Sequence, residues 1–269
     1  MTQRVVQVDA FTSEPFAGNP AAVLVLERPR DEQWMRNVAR EMNLSETAFV
    51  VKHPTEPEWL LRWFTPVAEV DLCGHATLAT AHVLFEEGHV SRDDAVRFQT
   101  RSGRLSVRSS GGWLEMDFPA HPPTAQPAPT GLLEALGIAS SEATFVGRNE
   151  ADWIIAIEDV GRVRALAPDF IRLASIDARG VIVTAPSDDK RWDFVSRFFA
   201  PAVGVPEDPV TGSAHCCLAP YWAERLDRNE LVGYQASARG GEVRVRHEVS
   251  RVMLTGQAVT VLRGELVAP

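Results

Sequence analysis

The feature that most constrains this chain is a unit of sequence that occurs twice. Arg62-Trp63-Phe64-Thr65-Pro66 is followed by Glu69-Val70-Asp71, by Leu72-Cys73-Gly74-His75 and by an apolar run from Ala76 to Phe85. Arg197-Phe198-Phe199-Ala200-Pro201 is followed by Glu207-Asp208-Pro209-Val210-Thr211-Gly212-Ser213 and by an apolar run through Trp222. The acidic turn residues and glycines predict loops, and the apolar runs predict helices starting near Gly74 and Gly212. The second run shows no clear polar face until Glu224, and the first is apolar almost all round. Both helices are therefore expected to be buried on most sides rather than amphipathic. Such a repeat is no short-period solenoid; it implies two similar halves, each built round one helix. A helix start presents free backbone N–H groups and the positive end of its dipole, which suits a carboxylate or phosphate. If the halves face each other, the two tips share one cleft, a favoured kind of place for a small-molecule site.

The rest of the chain reads as many short strands and a few further helices. Strands are expected at 5–11, 21–26, 48–51, 60–64, 96–100, 103–108 and 113–118. More follow at 144–147, 153–157, 180–184, 192–198, 241–247, 251–255 and 258–262. The 21–26 run is apolar almost throughout and should be well buried, whereas the last three alternate like half-buried strands. Asp31 is placed to cap a helix to Met42 with Trp34, Met35, Val38 and Ala39 on one face. Shorter helices are expected at 130–136, ended by Gly137, and at 168–173. The stretch 119–129 carries five prolines and reads as an extended linker between the halves. The expected class is α+β, with two pseudo-symmetric lobes, each a barrel-like, mainly antiparallel sheet wrapped around a central helix. The expected lobes are 1–119, with Glu46 and the first helix tip, and 120–255, with the second tip. Residues 256–269 are expected to form a strand returning to the first lobe.

Composition narrows the function. The formal net charge is −9 and no basic cluster stands out, so neither nucleic acid nor an anionic membrane is an expected partner. Three cysteines, two of them adjacent, make no disulfide framework and fit a reducing compartment. No leader is read at the start, and no apolar run approaches the ~20 residues of a membrane span. A cytoplasmic protein is expected.

Candidate chemistry falls on a few residues. Glu46 lies between a helix break and a strand, flanked by Leu44 and Ala48-Phe49-Val50. A carboxylate in apolar surroundings has a raised pKa and can shuttle protons near neutral pH; a capping or surface glutamate is the other reading. His75 follows Gly74 at a helix start, where it can serve as acid/base or simply satisfy the helix end. Asp208 can hold a substrate amine or hydroxyl, or be an ordinary turn residue. Ser213 can hold an anion with the Gly212 N–H or cap its own helix. Cys73, His75, His215, Cys216 and Cys217 are metal-ligand types, but Cys216 and Cys217 point different ways inside a helix, and no metal is expected. There is no phosphate-binding G-x-x-x-x-G-K motif, no dinucleotide fingerprint and no G-x-S-x-G elbow.

Taken together, several stretches resemble the PhzF-like family of phenazine-biosynthesis isomerases. They are Asp9-Ala10-Phe11-Thr12 with Phe16 to Val23; Met42 to Phe49; Arg62 to Pro66; Asp71 to Thr77; Glu207 to Ala214; and Leu254 to Val259 with Gly264-Glu265-Leu266. They occur in the family's order and span most of the chain. The resemblance implies the diaminopimelate-epimerase-like fold, a homodimer, no cofactor and a small carboxylate substrate. It implies that Glu46 moves a proton between carbons of a dihydro-hydroxyanthranilate-type compound. His75 and Asp208 would line the same site, and Gly74, Gly212 and Ser213 would hold the substrate. Two other readings stay open. One is a two-base thiol racemase using Cys73, which is disfavoured because Thr211 stands at the corresponding place in the second unit. The other is a binding protein that kept the scaffold without turnover.

Overall fold

A computed structural model describes residues 2–267 of the 269. Met1, Ala268 and Pro269, which the expected lobe boundaries include, lie outside the described residues. The chain forms two compact units. One runs to Phe118 and resumes from Thr255; the other runs from Pro119 to Leu254.

In the first unit, Ala258–Leu266 pairs antiparallel with Gln3–Ala10, which pairs antiparallel with Asn19–Leu26. The chain then crosses through the helix Glu32–Met42 to Glu46–Lys52, parallel to Asn19–Leu26 with Ala21 opposite Glu46. Trp59–Phe64 runs back antiparallel. The helix Gly74–Glu86 carries the chain to Val96–Thr100, parallel to Trp59–Phe64, and the antiparallel strands Gly103–Ser110 and Trp113–Pro119 follow. The second unit repeats this series. Ala143–Arg148 and Asp152–Ile157 are antiparallel; the short helices Val160–Ala165 and Phe170–Leu173 lead to the parallel strand Gly180–Pro186. Phe194–Phe199 runs back, the helix Gly212–Leu226 crosses to the parallel strand Glu230–Gln235, and Gly241–Glu248 returns antiparallel. The mixed, mainly antiparallel α+β architecture is as expected.

Both long crossover helices are buried as their apolar runs demand. Ten of the thirteen residues of Gly74–Glu86 are buried, which leaves no solvent face for a polar stripe. That helix packs on Gln3–Ala10, Asn19–Leu26, Glu46–Lys52 and Ala258–Leu266. The Glu32–Met42 helix is amphipathic instead. Asp31 caps it by accepting from Trp34 N–H at 2.8 Å, and Met35, Val38 and Ala39 pack on Leu24, Phe49 and Phe64. Strand Asn19–Leu26 thus has a helix on each face, which explains its near-continuous apolar run.

The repeated Arg-x-Phe-x-Pro sequence has a structural reason. Arg62 Nε and Nη2 fork onto Glu69 at 2.6 Å each, with the guanidinium over Phe64. Arg197 forks onto Glu207 at 2.7 and 2.8 Å, over Phe199. Each fork closes the loop that leads into a buried helix, and a bidentate arginine–carboxylate pair is among the most directional bonds available for that task.

Several expectations need correction. The proline-rich stretch is not a free spacer. Thr124–Ala125 pairs with Gly147 and Arg148, and His121 N–H donates to Cys216 O at 3.0 Å. Pro220, inside the Gly212–Leu226 helix, has no N–H to offer the carbonyl four residues back. That carbonyl is Cys216 O, so His121 fills the gap that Pro220 makes. The helix Val160–Ala165, capped by Asp159, and the strand Glu230–Gln235 were not read from sequence. Trp192 precedes its strand rather than starting it and stacks on Tyr234 with ring centroids 4.0 Å apart. Among the described residues, no helix is long and apolar enough to cross a membrane.

Candidate active site

In the first unit, chemistry gathers at the start of the Gly74–Glu86 helix. Gly18 sets it up: its φ is +63°, and a Cβ there would meet Ala10 O at 2.2 Å. Only glycine fits that turn, and the turn delivers the fully buried Asn19 to the head of its strand. Asn19 Nδ2 lies 3.1 Å from His75 Nδ1. His75 Nε2 lies 3.1 Å from Glu46 Oε2, off the line of a formal hydrogen bond, and neither atom has another partner among the described residues. Glu46 is the first residue of its strand, with its side chain 17% exposed. It is neither a helix cap nor a free surface acid, and its surroundings are not purely apolar, because His75 stands against it.

Cys73 completes the group, with Sγ 3.6 Å from His75 Nδ1. Burial, then the Glu46 charge, pushes the Cys73 thiol up to about 11. Burial alone would lower the His75 imidazole, but the Cys73 sulfur and the Glu46 carboxylate hold it well above its ordinary value. When His75 carries its second proton, Nδ1–H needs an acceptor, which Asn19 Oδ1 can supply if the amide is turned. The side chains of Glu46, Cys73 and His75 each bring one ligand atom within 4.8 Å of the others, a group that could hold a metal ion among the described residues.

In the second unit, Thr211 is the residue before the helix, and its side chain makes no capping bond. Ser213 is therefore not the cap. Its hydroxyl instead accepts from Arg179 Nη2 at 2.9 Å. Arg179 also forks onto Asp152, with Nε 2.9 Å from Oδ1 and a second bond from Nη2 to Oδ2. Burial opposes the Arg179 charge, yet Asp152, and after it Asp208, raises the guanidinium above its ordinary value. The loop before the helix is clamped by the fully buried Gln235, which accepts from Thr211 N–H at 2.8 Å and donates to Asp208 O at 2.7 Å. Asp208 Oδ2 accepts from the Thr211 hydroxyl at 2.5 Å, so Asp208 is a fixed group and not a loose turn residue.

Glu46, Gly74 and His75 thus meet at one helix tip, and Asp208, Gly212 and Ser213 at the other. Asn19, Asp152, Arg179 and Gln235 were not singled out from sequence. Asn19 carried a signal, since it sits in the Phe-Ala-Gly-Asn-Pro stretch; the other three are brought in by strand pairing over long sequence distances. Cys216 and Cys217 are core thiols, Cys216 being pushed up by burial to about 12.

His215, fully buried one turn into the second helix, donates Nδ1–H to Thr211 O at 2.8 Å. Burial pushes its imidazole down to about 4, the Thr211 bond opposing only in part. The unfolded chain takes up this proton near the ordinary value of about 6.5. The folded chain does so only near 4, so stability falls as pH drops through that window, by about 3 kcal/mol at most. Urea unfolding between pH 7 and pH 4.5 should show the loss, and His215→Gln, which keeps a donor for Thr211 O, should flatten it.

Comparison with known proteins agrees with this architecture. The family model described as phenazine biosynthesis-like protein, PhzC–PhzF, matches residues 8–264. An uncharacterized isomerase of Halalkalibacterium halodurans is 53% identical over 267 residues, 99% of each chain. The crystal structure of a PhzF-family phenazine biosynthesis protein from Enterococcus faecalis superposes with a TM-score of 0.93 at 43% identity, covering 99% of each chain. A hydroxyproline epimerase from Agrobacterium vitis shares the fold alone, with a TM-score of 0.63 at 9% identity over 98% of this chain and 92% of the other. The chain belongs to the phenazine biosynthesis-like PhzC–PhzF family, has its diaminopimelate-epimerase-like fold, and is an isomerase of that family.

Proposed function

We propose that this isomerase moves a proton between carbons of a small cyclic or unsaturated carboxylate, of the dihydro-hydroxyanthranilate type, with Glu46 as general acid/base and no cofactor. The observation that carries the reading is the Glu46–His75 contact at 3.1 Å, in which Glu46 Oε2 and His75 Nε2 have no other partner among the described residues. In this reaction a C–H bond breaks, its proton passes to a Glu46 oxygen, and the electron pair moves into the conjugated system of the substrate. The proton then returns from Glu46 to a different carbon. Nothing is oxidised or reduced, so the chemistry needs only a placed acid/base and a hold on the substrate. The His75 imidazole stands 3.1 Å from one Glu46 oxygen and leaves the other for carbon. On the family resemblance, Asp208 takes an amino or hydroxyl group, and Gly74, Gly212 and Ser213 are substrate-binding residues. On the same family resemblance, the protein works as a homodimer in the cytoplasm.

A thiol mechanism at Cys73 is the second reading, since its sulfur lies in the same group. The thiol at about 11 is almost wholly protonated at neutral pH and so a poor base. Thr211 stands in the matching place before the second helix and cannot act as a partner thiolate. The test is proton NMR of wild type and Cys73→Ser with a panel of such carboxylates, following movement of the double bond. Cys73→Ser should keep turnover within about threefold of wild type, because a neutral side chain is replaced by a smaller neutral one. Loss of turnover in a folded Cys73→Ser protein would favour the thiol. A wild type that binds the panel and converts none of it would favour a binding protein.

A further inference from the structure

The two helix tips match in position but not in chemistry. Asn19 heads the strand Asn19–Leu26, and Asp152 heads Asp152–Ile157. Glu46 opens the strand Glu46–Lys52, and Arg179 immediately precedes the matching strand, Gly180–Pro186. His75 and Ser213 are each the second residue of their helices. In both units the strand-head residue is buried, Asn19 at 0% and Asp152 at 1% exposure, and each stands against a functional side chain, His75 or Arg179. By strand register, Gly180 stands at the place of Glu46, Arg179 one residue before it, and Asp152 at the place of Ala21. The second tip thus carries a guanidinium and a hydroxyl where the first carries an acid/base pair.

We propose that Arg179 is a substrate-binding residue that selects an anionic group, receiving it on its Nη1 edge beside the Ser213 hydroxyl. The inference rests on the small-carboxylate reading above and names the side chain that recognises the carboxylate. Asp152 occupies Nε and Nη2 of Arg179, and Nη2 also serves Ser213. The Nη1 amino group has no hydrogen bond within the described residues, and the side chain is 41% exposed. Because Ser213 Oγ already accepts from Arg179, its own O–H is free to donate outward. The result is a pair of neighbouring donors, one of them from a charged group, suited to the two oxygens of a carboxylate. Asp152 fixes the fork in place, so little is lost in ordering Arg179 when the anion arrives.

The experiment compares equilibrium binding of 3-hydroxyanthranilate with that of 2-aminophenol, the same ring without the carboxylate, by calorimetry. Wild type should prefer the carboxylate by about 30-fold or more, as a charge-assisted contact implies. Arg179→Gln should cut the preference to about threefold or less, weakening the carboxylate ligand while leaving 2-aminophenol unchanged. Because Arg179→Gln strands the buried Asp152, the double variant Arg179→Gln with Asp152→Asn is measured alongside, with circular dichroism and melting to confirm the fold. Glu46→Gln should keep the wild-type preference. Full preference in the folded double variant, or no preference in wild type, would overturn the proposal. Wild-type turnover by Glu46→Gln would instead overturn the acid/base reading, with the carboxylate preference still standing.

Discussion

Replacing Glu46 with glutamine should remove proton transfer and leave substrate affinity nearly intact. The amide fills the same space beside His75, but it cannot take a proton from carbon. The expected loss in kcat is about 10²–10⁴-fold, the usual share of a general acid/base. KM should change little, because Glu46 acts in the transition state and contributes little to binding the substrate itself. The melting temperature should stay close to that of wild type, since Glu46 is only partly buried and forms a single ionic contact, at 3.1 Å. A steady-state assay on the best substrate of the panel checks all three. A variant that raises KM while keeping kcat would make Glu46 a binding residue, and one with unchanged kcat would remove it from the mechanism.

Arg197→Met should destabilise the fold severely. Arg197 is 9% exposed and carries the Glu207 fork. Its Nη1 also donates to Leu166 O at 2.7 Å and to Val163 O and Arg164 O at 3.3 Å each. Those carbonyls lie at the end of the Val160–Ala165 helix, where unpaired C=O groups and the dipole favour a cation. Methionine fills some of the volume but strands both the Glu207 carboxylate and the helix end. Breaking one partner of such a pair costs about 3–5 kcal/mol. The matching change in the first unit, Arg62→Met, should cost less, about 1–2 kcal/mol. Arg62 is 33% exposed, and Arg101 Nη2 also reaches Glu69, at 2.7 Å. Urea unfolding of the two variants checks the contrast. Equal losses would mean that the forks, and not their burial, set the cost.

The fold was legible where local chemistry and the global structure agree. Apolar runs with no polar face announced the two buried helices, and Asp31 with its amphipathic stripe announced the helix Glu32–Met42. The apolar run from Ala21 to Leu26 announced a well-buried strand, and the structure covers both of its faces. The repeat Arg-x-Phe-x-Pro was visible as sequence, but its cause, a guanidinium fork onto Glu69 or Glu207, was not. The fork partner lies a variable distance away along the chain. Among candidate site residues, those at glycine-marked helix starts could be found because turn chemistry is local. Asp152, Arg179 and Gln235 have no such local mark. Gln235 acts through a strand, Glu230–Gln235, whose sequence Glu-Leu-Val-Gly-Tyr-Gln is too polar and glycine-broken to stand out. Arg179 precedes an ordinary apolar strand, and only the matching of the two units gives it a counterpart in the neighbourhood of Glu46. The proline-rich stretch marks the start of the second unit, as its composition suggested, but the bond from its His121 N–H that compensates for Pro220 was not legible.

The central claim is that Glu46 carries a proton between substrate carbons. The most direct measurement is proton NMR in deuterated water of metal-stripped wild type and Glu46→Gln. It would follow deuterium at each carbon of the converted compound during the first turnover and after many. Wild type should place hydrogen isotope at the new carbon position, with deuterium entering as Glu46 exchanges with solvent, and Glu46→Gln should place none. Deuterium incorporation at equal rates in both proteins would contradict the account and move the search for the base to Cys73 or His75.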